Sequence, residues 1–309
     1  MLEAAHVDAP GQSEVDTFIA SVESRLKDLT DQHGDNPVDQ SIRYTLLGRG
    51  NRTRAILIGL STQAWHGQIS SARDAACAVE MVHAASLILD DLPMMDDACQ
   101  RRGRSTNHRV FGEHCAVLAS FALVCEAFRV VASDGNASES TRTLVAKVLS
   151  QALGPSGLVA GQMRDLAAST SETNPAEVEE TYRLKTAVLF AASTELGAIV
   201  AQAGAVERQL AYRFGMEIGM AFQTYDDLAD QTASSESLGK DVLADNHKPT
   251  LARLHGPAVA ERIADERITL AVETIADRIG REAGLLTYIA QLQRALKQRM
   301  RPSVDRAGR

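Results

Sequence analysis

Apolar residues recur at intervals of three and four along most of this chain, and this spacing is the strongest constraint on its fold. In segment 13–29 one helix face carries Val15, Phe18, Ile19, Val22, Leu26 and Leu29. The pattern continues in segments 74–89, 114–131, 141–153, 178–203, 207–229 and 259–278. No alternating strands and no β-α-β rhythm interrupt it. The sequence therefore predicts one all-α domain, 1–309, of about ten or more helices, with ends near 1–10 and 300–309 expected to fray.

Composition narrows the class of protein further. Aromatic residues make up only 4% of the chain, which disfavours a β-sandwich or barrel, and the net charge of −8 argues against nucleic acid as a partner. No secretory signal is expected in MLEAAHVDAP, and the four cysteines form no C-x-x-C pair, so we predict a cytoplasmic protein with free thiols. The apolar run 116–125 falls well short of the roughly 20 residues of a membrane span, so none is expected.

Two groups of aspartates stand out. The first aspartate cluster lies in the stretch DDLPMMDD and comprises Asp90, Asp91, Asp96 and Asp97. The second aspartate cluster comprises Asp226, Asp227 and Asp230. Each is predicted to close an apolar helix, and Pro93 is expected to bend the first helix so that Asp96 returns towards Asp90.

Such clusters are costly unless they bind cations. Acids at a helix C-terminus oppose the helix dipole, and like charges four residues apart repel, so a solvated acidic helix end is the less favoured interpretation. Carboxylates suit hard cations, and Mg²⁺ binds through one or two carboxylates together with substrate phosphates. Two facing clusters are therefore predicted to hold several Mg²⁺ ions over a diphosphate. Basic side chains that suit phosphate lie before the first aspartate cluster at 49–54, directly after it at 101–104, and further along the chain at Lys185, Lys240 and Lys248.

Several motifs together resemble those of the trans-isoprenyl diphosphate synthases, and most closely the bacterial geranylgeranyl diphosphate synthases of the carotenoid-pathway type. They are DDLPMMDD at 90–97, RRGRSTNH at 101–108, GLVAGQMRDL at 157–166, KT at 185–186, FQTYDDLAD at 222–230 and GKDVLADNHKPT at 239–250. The resemblance covers about 15–278. It implies an isoprenoid synthase helical bundle around a central apolar cavity, and a homodimer. It also implies head-to-tail condensation of isopentenyl diphosphate with dimethylallyl, geranyl or farnesyl diphosphate to geranylgeranyl diphosphate.

The resemblance also implies roles for individual residues. Three Mg²⁺ ions per active site are expected, with the ligands Asp90, Asp91, Asp96, Asp226, Asp227 and Asp230. The allylic diphosphate is expected to contact Arg101, Lys185, Thr186, Gln223, Lys240 and Lys248. Isopentenyl diphosphate is expected at Arg54, His83 and Arg102, with Arg52 close by. Lys185 and the six aspartates form the expected catalytic set.

Product length is predicted from the helix below the first aspartate cluster. Ala85 and Ser86 lie roughly 6–8 Å beneath Asp90 at helical rise, and relatives that stop at farnesyl diphosphate commonly carry a bulky aromatic there. Both residues are small, so a C15 chain is expected to pass. Chain growth is expected to end roughly 12–14 Å down, at Val82 and Met81 and at side chains near 117–121.

Three positions depart from the family pattern. Asn51 stands where a Lys that binds isopentenyl diphosphate is usual, Ser105 where Pro is usual, and His247 where Gly is usual. Asn51 keeps alternatives open: a class I terpene cyclase on the same fold, or a non-catalytic subunit of a heteromeric prenyl synthase. A farnesyl diphosphate synthase is an alternative within the same enzyme class. The intact second aspartate cluster argues against the cyclase, and the retention of every aspartate argues against the non-catalytic subunit.

Overall fold

The computed structural model describes residues 12–32, 34–168, 174–236 and 248–300. Its helices are α1 Gln12–Asp31, α2 Pro37–Leu46, α3 Thr53–Ala64, α4 Arg73–Asp90, α5 Asn107–Phe111, α6 Glu113–Ala132, α7 Glu139–Leu153, α8 Leu158–Ala167, α9 Pro175–Tyr182, α10 Val188–Val200, α11 Ala205–Glu236, α12 Leu251–His255, α13 Pro257–Ile279 and α14 Gly284–Arg299. A 3₁₀ turn spans Ile69–Ala72 and a π-helical turn spans Arg183–Ala187. Two short antiparallel strands, β1 Gln100–Arg101 and β2 Arg104–Ser105, were not predicted. The all-α prediction is confirmed.

Helices α4 and α10 form the centre of the bundle because they are apolar on nearly every face. Helix α4 packs against α1, α3 and α6, and α10 packs against α3, α7 and α11. Met81 of α4 and Phe190 of α10 are almost completely buried. The face predicted for 13–29 is confirmed, since Val22 and Leu26 are fully buried against the α4 side of the core.

Buried hydroxyl groups fix these helices relative to one another. Ser61 Oγ of α3 donates to the carbonyl of Thr194 at 2.6 Å, and Thr194 Oγ1 donates to the carbonyl of Ala211 in α11 at 2.7 Å. Ser120 Oγ of α6 donates to the carbonyl of Ala85 in α4 at 2.9 Å. A buried hydroxyl is stable only when it is hydrogen-bonded, so these contacts favour one relative placement of α3, α4, α6, α10 and α11.

One prediction about helix boundaries was wrong, and one is confirmed only in part. Segment 178–203 is helical as far as Val200, but the π-helical turn Arg183–Ala187 lies between α9 and α10. The second aspartate cluster does not close its helix, because α11 continues to Glu236. Asn174 caps the helix behind Pro175, because Asn174 and Glu177 form a reciprocal capping box.

Helix α6 is the one described helix long and apolar enough, by length and composition alone, to cross a membrane. The helix, Glu113–Ala132, extends beyond the apolar run 116–125 at both ends. A core helix meets the same criterion, and Ala116, Ala119 and Leu123 are buried in the core that contains α4. The opposite face is exposed at Val117, Leu118 and Phe121.

Candidate active site

The first aspartate cluster lies on a tight turn that begins where α4 ends. Helix α4 ends at Asp90, and the amide of Asp96 donates to the carbonyl of Asp90 at 2.9 Å. The chain therefore returns Asp96 to Asp90 as expected, through a series of turns rather than a bent helix. Burial raises the pKa of Asp90 to about 6, although the nearby Lys185 opposes that shift.

Asp91 points to an arginine instead of the other aspartates. Its carboxylate is 4% exposed and accepts from Arg101 Nε at 2.8 and 3.0 Å, with a further contact of 2.7 Å to Nη2. Arg101 is held there by a hairpin whose turn residues, Arg102 and Gly103, have positive φ values of 54° and 75°. Asp91 therefore orients Arg101 in this structure, and its predicted metal-ligand role stays a prediction.

The second aspartate cluster lies on α11 and is also engaged by neighbouring side chains. Asp227 accepts a short hydrogen bond from the Tyr182 hydroxyl and a bond of 2.9 Å from Gln223 Nε2. Asp226 accepts from Arg299 of α14 at 3.1 Å. Burial raises the pKa of Asp227 to about 7, even though its two hydrogen-bond donors stabilise the carboxylate.

The π-helical turn joins the two clusters. Thr186 Oγ1 donates to Gln223 Oε1 at 2.6 Å, and Gln223 in turn donates to Asp227. The adjacent Lys185 faces the first aspartate cluster, with Nζ 3.9 Å from Asp96 Oδ2. Two consecutive side chains of the π-helical turn, Lys185 and Thr186, therefore reach the two different clusters. Extra-residue turns of this kind are frequent at functional sites.

A second cationic site lies beside α4. Arg54 Nη1 donates to His83 Nε2 at 3.1 Å, and the Arg54 guanidinium stacks on the Phe190 ring at 4.8 Å. Burial, together with Arg54 and the neighbouring Arg102, lowers the pKa of His83 well below its usual value, so the imidazole is neutral and accepts. Burial lowers the pKa of Arg54 to about 10. The structure thus brings Arg54, His83 and Arg102 together as predicted.

Arg52 lies near His83 as predicted, since it is one of the charges that lower the pKa of His83. The Arg52 side chain is 8% exposed and turns inward, with Nη1 3.2 Å from Glu80 Oε2 and Nη2 donating to the carbonyl of Leu46 at 2.9 Å. Glu80 also accepts from the amide of Ala55 at the start of α3. Arg52 therefore supports the loop from inside, while the neighbouring Asn51 is exposed.

The residues predicted to set product length line the inner part of α4. Ala85, Val82 and Met81 are at most 2% exposed, and Ser86 is 8% exposed. Side chains near 117–121 were also predicted to end chain growth. For the large side chains of this stretch the prediction was wrong. Val117, Leu118 and Phe121 are exposed on the outer face of α6, while the small Ala119 and Ser120 face inward.

The donor set fits magnesium held jointly with a diphosphate. Among the described residues, no three carboxylate, imidazole or thiol groups converge closely enough to enclose a metal ion. The two clusters nevertheless offer only carboxylate oxygens, and Mg²⁺ commonly takes one or two carboxylates plus substrate phosphates. The pKa of Asp90 is raised because burial destabilises its carboxylate anion. A bound cation would offset this destabilisation.

Two of the residues singled out in the sequence, Lys240 and His247, fall outside the described residues.

A cavity of about 730 Å³ lies between α7, α10 and α11, with Arg183, Glu195 and Tyr212 in its wall. None of the aspartates of the two clusters lines it. The central apolar cavity beneath the first aspartate cluster stays a prediction.

Comparison with known proteins places this geometry in a family. The family model described as "Polyprenyl synthetase" matches residues 35–275. The chain belongs to the polyprenyl synthetase family. It is 39% identical to a geranylgeranyl diphosphate synthase of Pantoea ananas over 83% of this chain and 85% of that one. It is 42% identical to geranylgeranyl pyrophosphate synthase 7 of Arabidopsis thaliana over 83% and 76%, respectively.

Solved structures of polyprenyl synthetases share the fold. A geranyltransferase from Legionella pneumophila superposes with a TM-score of 0.82 at 26% identity, covering 93% of this chain and 98% of that one. A geranyltransferase from Helicobacter pylori, solved with magnesium and isoprenyl diphosphate, gives a TM-score of 0.79 at 26% identity over 95% and 98%. The predicted isoprenoid synthase fold and the predicted enzyme class, a prenyltransferase, are confirmed.

Sequence reasoning missed two side chains of this polyprenyl synthetase site. Asp165 accepts from Lys185 and Lys248, and Tyr182 donates to Asp227. Asp165 lies within GLVAGQMRDL, which contributed to the resemblance without any residue role being assigned. Tyr182 gave no signal, because its contact depends on how the π-helical turn meets α11.

Proposed function

We propose that this prenyltransferase makes geranylgeranyl diphosphate by Mg²⁺-dependent, head-to-tail condensation of isopentenyl diphosphate with C5, C10 or C15 allylic diphosphates. One observation carries the proposal: the π-helical turn joins two aspartate clusters and their lysines beside a separate Arg54–His83–Arg102 site. Two cationic sites suit two diphosphates. The names of the relatives from Pantoea and Arabidopsis support the C20 product.

The proposed site divides between the two substrates. Asp90, Asp96, Asp226 and Asp230 would hold Mg²⁺, with three ions per site. Asp91 keeps Arg101 in place, and Asp227 is held by Tyr182 and Gln223. Bound Mg²⁺ supplies Lewis-acid stabilisation of the leaving diphosphate. Lys185, Lys248 and Arg101 stabilise the negative charge that develops as the bond from the diphosphate to the allylic carbon breaks. The double bond of isopentenyl diphosphate attacks that carbon, and the diphosphate takes the released proton.

The second diphosphate is bound by Arg54 and Arg102, with the neutral His83 orienting Arg54 through its Nε2. Arg102 is fixed by its turn and by a bond of 2.8 Å to the carbonyl of Arg49. Asn51 in the same loop offers no charge. Asn51→Lys should therefore lower the KM for isopentenyl diphosphate about tenfold or more, since a charged hydrogen bond contributes about 1.5–3 kcal/mol. An unchanged KM would show that Asn51 does not face that substrate.

Product analysis tests the function directly. The purified chain is incubated with Mg²⁺, isopentenyl diphosphate and each of the three allylic diphosphates, and the dephosphorylated products are sized by mass. We expect a C20 alcohol from all three primers. A C15 end point would refute the C20 product. A hydrocarbon formed without isopentenyl diphosphate would indicate the cyclase, and turnover that requires an added partner would indicate the non-catalytic subunit.

We also propose a homodimer that uses the outer faces of α6 and α8. Val117, Leu118 and Phe121 of α6 are 44–70% exposed, and α8 exposes Val159 and Met163. Several exposed apolar side chains on one helix commonly mark a protein interface. Light scattering should give twice the mass of the chain, and Phe121→Glu should shift it to the monomer. A wild-type monomer at micromolar concentration would refute the proposal. A cytoplasmic location stays our prediction.

A further inference from the structure

Asp165 is the least expected charged residue of the site. It lies on α8 and binds Lys185 and Lys248, the two lysines that face the first aspartate cluster. Its Oδ2 accepts from Lys185 Nζ at 2.6 Å and from Lys248 Nζ at 2.8 Å. Its side chain is only 16% exposed. Burial alone raises the pKa of such a carboxyl group, but the two ammonium groups more than offset this and lower it.

The same two lysines also contact Asp96. Lys248 Nζ lies 2.8 Å from Asp96 Oδ1, and Lys185 Nζ lies 3.9 Å from Asp96 Oδ2. Two carboxylates therefore share two ammonium groups. Only Asp96 belongs to the proposed metal ligands, and a cation bound to Asp96 repels both lysines. Asp165 is the carboxylate that can retain them.

The local packing makes this arrangement rigid. Gly161 faces the π-helical turn so closely that a Cβ atom would lie 2.2 Å from the Lys185 amide nitrogen. Asp165 follows one helical turn later and therefore lies on the same face of α8. The backbone contact at Gly161 fixes the distance between Lys185 and the helix, and Asp165 fixes the direction of the Lys185 side chain.

We propose that Asp165 is a positioning residue that retains the Lys185 and Lys248 ammonium groups, so that Asp96 is released to the metal ions while the lysines face the diphosphate. The proposal rests on the proposed function only in that both need a bound diphosphate. The effect of Asp165 on the metal ions and on the substrate is exerted through the two lysines.

The test compares Asp165→Asn, Asp165→Glu and Asp74→Asn. Asp74 is a matched control: its side chain is 9% exposed and paired with Arg25 at 3.1 Å and with Arg73 at 3.3 Å, at the other end of α4. Binding of inorganic diphosphate is measured by calorimetry over a Mg²⁺ titration, and kcat and KM are measured for the allylic diphosphate.

In Asp165→Asn the two lysines lose the carboxylate that holds them beside Asp96, and they compete with Mg²⁺ for the Asp96 carboxylate. We expect the Mg²⁺ concentration for half-maximal diphosphate binding to rise about fivefold or more, and kcat to fall about 10–100-fold at saturating Mg²⁺ with a smaller change in KM. Asp165→Glu restores the charge and should recover most of the loss. Asp74→Asn should lower the Tm without changing the Mg²⁺ dependence.

Unchanged Mg²⁺ dependence and kcat in Asp165→Asn would overturn the proposal, as would an Asp165→Glu variant as impaired as Asp165→Asn. Should Asp165→Asn fail to fold, Asp165→Ser takes its place with the same expected rise in the Mg²⁺ requirement, and an unchanged requirement in Asp165→Ser overturns the proposal. Diphosphate binding separates this proposal from the proposed function. A chain that makes no C20 product but shows the shift keeps the role of Asp165.

Discussion

The contact between α8 and the π-helical turn allows a prediction whose size follows from the structure. A Cβ atom on Gly161 would lie 2.2 Å from the Lys185 amide nitrogen and 2.6 Å from its Cα, whereas ordinary contact begins at 3.4 Å. Gly161→Ala must therefore separate α8 from the turn by about 1 Å. Overpacking of this kind costs about 1–3 kcal/mol of stability. A displacement of about 1 Å at a catalytic group lowers the rate about 100-fold.

The assay measures kcat and KM for the allylic diphosphate together with urea unfolding. We expect Gly161→Ala to remain folded, to lose about 1–3 kcal/mol of stability and to lose about 100-fold in kcat. Gly284→Ala is the matched control, because a Cβ there meets Leu60 at an ordinary 3.6 Å. A Gly161→Ala enzyme with wild-type stability and a kcat within threefold of wild type would refute the packing argument.

Three further changes test separate parts of the structure. Ala85→Phe should shorten the product from C20 to C15, as read by mass, because the ring fills a 2% exposed position below the first aspartate cluster; an unchanged C20 product contradicts the predicted floor. Glu80→Gln should cost about 1.5–3 kcal/mol in urea unfolding, because the buried Arg52 then keeps only one carboxylate partner among the described residues, the exposed Glu23 at 3.6 Å; a loss below about 0.5 kcal/mol contradicts this. Burial raises the pKa of Glu195, although the charge of Arg208 opposes the shift. The unfolded chain therefore loses this proton at a lower pH than the folded chain, and the free energy of unfolding falls as the pH rises between the two pKa values. Glu195→Gln should therefore raise the Tm at pH 8 but not at pH 4, and an equal effect at both would argue against a buried anion.

The sequence predicted much of the candidate site because its motifs are local. The return of Asp96 to Asp90 was expected from Pro93, and the neighbourhood of Arg54 and His83 followed from the resemblance. The exact partners were not predictable. Asp91 turned to Arg101, and Arg52 turned inward to Glu80. Such choices depend on which opposite charge lies within reach after packing, and no spacing along the chain encodes that distance.

The sequence by itself determined the all-α class, the apolar helices at the centre and the two aspartate clusters, because periodicity and residue chemistry act over short stretches of chain. Only the tertiary structure decided how these parts are joined. The π-helical turn, the approach of α8 at Gly161 and the two lysines on Asp165 bring residues from three separate segments within hydrogen-bond distance. Contacts of this kind arise from the packing of whole helices, in which a shift of about 1 Å makes or breaks a hydrogen bond.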